Sequence, residues 1–109
     1  MKAIHEDEVT KSLYPDRWSK DLIGGDKIPT TAGFSLGVAE YHARDFGPRQ
    51  VHDDQEAIYV ISGVGEICLD DEVLPLKPGT AVYVAPGVAH ATRRTGPQPV
   101  RVVYAHGAV

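Results

Sequence analysis

Cysteine is almost absent from this chain: Cys68 is the only one among 109 residues. A single thiol excludes an internal disulfide framework and fits a reducing compartment, so a cytoplasmic protein is expected. Within Glu66-Ile67-Cys68-Leu69 that thiol reads as a small packed hydrophobe. No apolar run approaches the roughly 20 residues that a helix needs to cross a bilayer. The start, Met1-Lys2-Ala3-Ile4-His5-Glu6-Asp7-Glu8, turns acidic at once and has no apolar stretch of the kind a signal peptide carries. Positive charge is also in short supply. The net charge of −4 offers nothing to attract nucleic acid or an anionic membrane. Helical periodicity is nearly missing. The one helix expected is short, Asp7 to Tyr14, capped by Asp7 and stopped by Pro15.

Short β-rich runs, punctuated by 11 glycines and 8 prolines spread along the whole length, make up the rest. Phe34 to Ala43 reads as a strand, broken by Asp45-Phe46-Gly47-Pro48. Ala57 to Ile61 is the next, stopped at Ser62-Gly63. Gly65 to Leu69 and Glu72 to Leu76 form a hairpin across Asp70-Asp71. Ala81 to Val84, Ala89 to Arg93 and Val100 to Ala105 complete the set. Strands at intervals of about ten residues argue an all-β barrel or jelly roll. At this length the chain has room for one modest core and one domain.

Chemistry is concentrated in a split polar set. Gln50, His52 and Glu56 fall in Gln50-Val51-His52-Asp53-Asp54-Gln55-Glu56, and His90 follows Ala85-Pro86-Gly87-Val88-Ala89. These four are potential metal ligands, and imidazole with carboxylate suits Fe, Mn, Ni, Cu or Zn. In an extended chain residues two apart share a face, so Gln50, His52 and Glu56 point one way with Ile58 and Val60 beyond them. That is the pattern of a barrel interior with polar groups at its mouth. Tyr104 and His106 share parity on the last strand, so both or neither face that interior.

Gln50-Val51-His52, three residues, Glu56, six residues, Gly63 resembles the first motif of the cupin superfamily, which runs His, any residue, His, then Glu and Gly. Gly79, five residues, then Ala85-Pro86-Gly87-Val88-Ala89-His90 resembles the second. The match spans Phe46 to about Arg94. Three positions depart from it: Gln50 stands for the first histidine, Ala85 for a proline and Arg94 for a frequent asparagine. The resemblance implies a double-stranded β-helix (jelly-roll, cupin) barrel over residues 34–109. It also implies a divalent transition metal on His52, Glu56 and His90, with Gln50 at the fourth position. An amide oxygen is neutral and a weaker donor than imidazole. The surviving pair of histidines and one carboxylate is the set used by non-haem Fe(II) oxygenases.

The expected function is therefore metal-dependent chemistry of dioxygenase, isomerase or lyase type on a small organic molecule, with dioxygenase slightly preferred. The alternative is a barrel that binds or senses a small ligand, such as a sugar acid, without turnover. His42 is expected to face the cavity as an acid or base, since imidazole titrates near pH 6.5. Arg44, Arg49, Arg93 and Arg94 fall near the rim, and arginine at a mouth suits carboxylates, so an anionic ligand is weakly preferred. Residues 1–33 form an N-terminal segment. By the same resemblance, Leu13 to Ile28 adds a strand across a homodimer, with Trp18 as its anchor.

Overall fold

A computed structural model describes residues 1–109 as an all-β barrel of two antiparallel sheets. After a 3-10 turn at Glu6–Glu8 come β1 (Ser12–Leu13), β2 (Arg17–Ile23), β3 (Ser35–Tyr41), β4 (Gln55–Ser62), β5 (Gly65–Leu69), β6 (Glu72–Leu76), β7 (Ala81–Val84), β8 (His90–Arg94) and β9 (Val100–Gly107). The larger sheet runs β1-β2-β3-β9-β4-β7 and the smaller β6-β5-β8. The jelly-roll reading and the central hairpin hold, with β5 and β6 paired from Gly65↔Leu76 to Leu69↔Glu72.

Alternation decides which side chains enter. Along β4 Glu56, Ile58 and Val60 are buried while Ala57, Tyr59 and Ile61 face out. On β9 Val100, Val102 and Tyr104 are buried in the same rhythm. With Ile67, Leu76, Val82 and Val84 they fill one core cluster. Burial of such side chains stabilises by about 25 cal/mol per Å² of apolar surface removed from water. Cys68, 2% exposed, packs as expected beside this core.

One expectation fails in the N-terminal third. Asp7 to Tyr14 is not a helix: His5 caps a single 3-10 turn through its side chain and the Glu8 carboxylate returns the bond. The chain then extends into β1. Three residues between the turn and the strand leave too little length to repay helix nucleation. Within this chain β2 is a full strand, paired with β3 from Arg17↔Tyr41 to Ile23↔Leu36. Arg17-Trp18-Ser19-Lys20-Asp21 lacks the apolar alternation that announces a strand, because its inward face is polar. Trp18 lies on the outer face beneath Lys11 and Arg101, whose cations sit 4.7 and 5.8 Å from its ring.

Candidate metal centre

Two backbone ties bring the two motifs together, and a third contact anchors the second motif to the hairpin. Gln50 and His90 form an isolated bridge, exchanging N–H···O bonds of 2.8 and 2.9 Å. The Gly87 N–H donates to the His52 carbonyl at 2.9 Å from a turn whose φ of +79° favours glycine. Asp70, at the tip of the β5–β6 hairpin, pairs with Ala89 through backbone and side chain. His52 thus sits in a loop anchored to the second motif, just ahead of β4, and His90 opens β8.

The expected ligands His52, Glu56 and His90 meet. His52 Nε2 lies 3.1 Å and His90 Nε2 3.4 Å from Glu56 Oε1. A fourth side chain joins from β9: His106 Nε2 is 3.5 Å from Glu56 Oε2. Pairing of β9 with β4 places His106 directly opposite Glu56. Parity had linked His106 to Tyr104, and both prove to face the cavity. Only a correct β4–β9 register would have revealed His106 as the residue beside Glu56, and one sequence does not supply it.

Each imidazole is gripped at its other nitrogen. His90 Nδ1 faces the Val88 carbonyl at 3.0 Å, and His106 Nδ1 faces Asp54 Oδ2 at 2.9 Å. Asp54 Oδ1 lies 2.5 Å from His52 Nδ1, off the N–H axis, which leaves that oxygen without an aligned donor. Acceptors at Nδ1 assign the Nδ1–H tautomer to His90 and His106, His52 Nδ1 faces the Asp54 carbonyl at 3.4 Å, and all three Nε2 atoms turn toward Glu56. A neutral Nε2 lone pair and a carboxylate oxygen repel at these distances unless a proton or a cation lies between them. The titration tendencies agree. Burial pushes Glu56 up, but the hydrogen bond with His90 and the fields of His106, His90 and His52 outweigh it and hold the carboxyl below its ordinary range. Burial pushes His90 down, yet its bonds to Glu56 and the Val88 carbonyl raise it overall. His52, Glu56 and His90 bring donor atoms within 4.8 Å of one another, with the His106 imidazole alongside, and imidazole with carboxylate matches the donor preferences of Fe, Mn, Ni, Cu and Zn. The residues present therefore fit a divalent metal.

Gln50 lines the same cavity as Glu56 and His106, and its amide makes no hydrogen bond within the chain. His42 does not join them. Its side chain is exposed, and its backbone is what is used, donating to the Asp16 carbonyl and accepting from Arg94. The acid–base role expected of it has no support in its position. The rim arginines are committed elsewhere. Arg93 pairs with Glu66 and the Arg44 carbonyl, Arg94 with the His42 and Pro97 carbonyls, and Arg49 with the Asp70 carbonyl.

The Cupin domain family matches residues 37–106. The chain belongs to the cupin family. Its relatives are diverse. Protein SchB of Streptomyces halstedii is 34% identical over 89 residues, which cover 74% of this chain and 64% of that protein. Glucose-6-phosphate isomerase of Thermococcus gammatolerans is 33% identical over 96 residues, 84% of this chain and 41% of the isomerase. This cupin therefore spans less than two thirds of the length of either relative. Among solved structures, the polyketide cyclase RemF from Streptomyces resistomycificus superposes with a TM-score of 0.78 at 22% identity, over 97% of this chain and 78% of RemF. At that identity the likeness speaks for the fold alone.

Proposed function

We propose that this cupin is a metal-dependent enzyme acting on a small oxygen-containing molecule by Lewis-acid and proton-transfer chemistry, as an isomerase, lyase or cyclase. The observation that carries this reading is the convergence of three Nε2 atoms on the Glu56 carboxylate. His52, Glu56 and His90 would hold the metal, with His106 as a third imidazole. When bound, the metal supplies polarisation of a substrate oxygen without changing oxidation state. Asp54 fixes the rings of His52 and His106, and the Val88 carbonyl fixes His90. Gln50, with both faces of its amide free, orients the substrate or contributes a loose further ligand.

The dioxygenase expectation rested on two histidines and one carboxylate standing alone. A third imidazole beside them, if it also held the metal, would leave fewer positions for dioxygen, which favours non-redox chemistry. A relative described as an isomerase lends support. A homodimer remains part of the proposal, now through the outer face of β4 and β7, where Tyr59, Ile61 and Tyr83 are exposed.

The test is metal analysis of protein purified without chelator. A stoichiometric transition metal, lost on His52→Ala or His90→Ala, is expected. Metal-free wild-type protein that takes up none on addition would overturn the reading and favour a ligand-binding barrel.

A further inference from the structure

The face that β2 turns toward the barrel interior carries the wrong residues for a core. Arg17, Ser19 and Asp21 alternate with Trp18 and Lys20, and their partners in register are Tyr41, Ala39 and Gly37. Tyr41 and Ala39 are core residues, 8% and 1% exposed. Three polar side chains in succession beside such neighbours would cost free energy in a dry interior. They instead line a cavity of about 160 Å³ that they share with Gln50, Glu56 and His106. This is below the roughly 300–1,000 Å³ of drug-sized pockets, so a small molecule fits it.

Arg17 is built into this wall. Its Nη1 donates to Asp16 Oδ1 at 3.0 Å, and Asp16 is itself 3% exposed. The Tyr14 ring lies 4.0 Å from the guanidinium carbon. Only 14% of the Arg17 side chain is exposed, and Nη1 alone has an acceptor in the protein. A guanidinium held from behind, mostly out of water and with Nε and Nη2 uncommitted, offers two-point recognition of a carboxylate. Elsewhere the cavity repels a second negative charge, because Glu56 and Asp21 both line it. Asp21 is held there by Tyr104, whose hydroxyl donates to Oδ1 at 2.6 Å. Ser19, two residues along from Arg17, lines the same cavity beside the Tyr104 hydroxyl, where a neutral hydroxyl of the ligand can join the pair.

We propose that β2 is the substrate-recognition wall and that it selects a small hydroxylated monocarboxylate, with the carboxylate on Arg17 and a neighbouring hydroxyl on Ser19. The proposal rests on the metal-centre reading only in taking this cavity as the substrate site. Residue 17 lies outside the family match at 37–106, so membership of the family does not assign it.

Three-carbon probes isolate the charge: glycerol, glycerate and tartronate carry none, one and two carboxylates. Each is titrated by NMR into full-length protein stripped of metal, and glycerol and glycerate also into zinc-loaded protein. Expected is saturable glycerate binding at least tenfold tighter than glycerol or tartronate, already present without metal. Arg17→Gln removes the preference for glycerate over glycerol, Arg17→Lys keeps part of it, and Ser19→Ala weakens glycerate without weakening a plain carboxylate such as acetate. Asp21→Asn improves tartronate. A glycerate preference that survives in Arg17→Gln, or wild-type protein that shows no saturable glycerate binding, overturns the proposal. Failure of the metal reading is seen separately, as absence of zinc uptake while Arg17-dependent binding persists.

Discussion

Gln50 and His90 are joined through their backbones, each giving its N–H to the other's carbonyl. The bridge links the start of the first motif to the histidine of the second and uses no side-chain atom of either residue. The identity of residue 50 is therefore free to change while its place beside the metal centre stays fixed.

For that reason Gln50→Ala is expected to fold normally and Gln50→His to gain a ligand. Competition with a chelator should show metal affinity rising in Gln50→His and falling only slightly in Gln50→Ala, because His106 already supplies a third imidazole. A loss in Gln50→Ala as large as that in His90→Ala would mean that the amide is a principal ligand.

Asp54 touches Nδ1 of two rings, His52 and His106, and so orients both. Asp54→Asn keeps the shape and removes the charge. Outer partners of this kind typically govern affinity by 10–100-fold. Metal affinity should fall within about that range, read by competition, while the melting temperature of the chelated protein moves little. Unchanged affinity would remove Asp54 from the site's support.

The chelated protein should be most stable in mildly acidic solution. Glu56 is held below its unfolded value, so its contribution is present above about pH 4.3 and is lost as pH falls through the folded value. His90 is raised, so its contribution is complete below about pH 6.5 and is lost as pH rises through the folded value. Melting temperatures measured from pH 4 to pH 9 should therefore peak between these limits. Metal needs deprotonated imidazoles, so the stabilisation it adds should grow from pH 6 to pH 8. A chelated protein more stable at pH 8.5 than at pH 6 would contradict this.

Gly37 tests how tightly the N-terminal wall is closed. A Cβ there would lie 2.3 Å from Tyr104 Cζ and 2.5 Å from the Lys20 carbonyl, which is backbone and cannot swing aside. Gly37→Ala should cost about 1–3 kcal/mol, the usual range for overpacking, seen in denaturant unfolding. It should also displace Tyr104 from Asp21 and loosen β2. A neutral result would mean that β2 is held less closely than the register indicates.

Most of the barrel was legible from the chain because β4, β7 and β9 alternate and the β-rich runs from β3 onward lie between turns rich in glycine and proline. The trio His52, Glu56 and His90 was legible because its spacing matches a known pattern. What escaped shares a physical cause. The β2 strand faces a wet cavity with Arg17, Ser19 and Asp21, so it shows none of the apolar rhythm by which strands are recognised. His106 depends on a register between β4 and β9 that pairs it with Glu56, fifty positions earlier, through no local signal. His42, at a strand end close in sequence to the first motif, is exposed, and nothing in its neighbours along the chain signals that.

The polar face of β2 has a consequence for how such a protein changes over evolutionary time. The side chains proposed to choose the substrate stand on one strand, and those proposed to hold the metal stand on β4, β8, β9 and the loop before β4. Selection can rewrite alternate residues of one short segment near the start of the chain and leave the reactive centre untouched. A scaffold divided in this way can retain one chemistry while the molecules that receive it diversify.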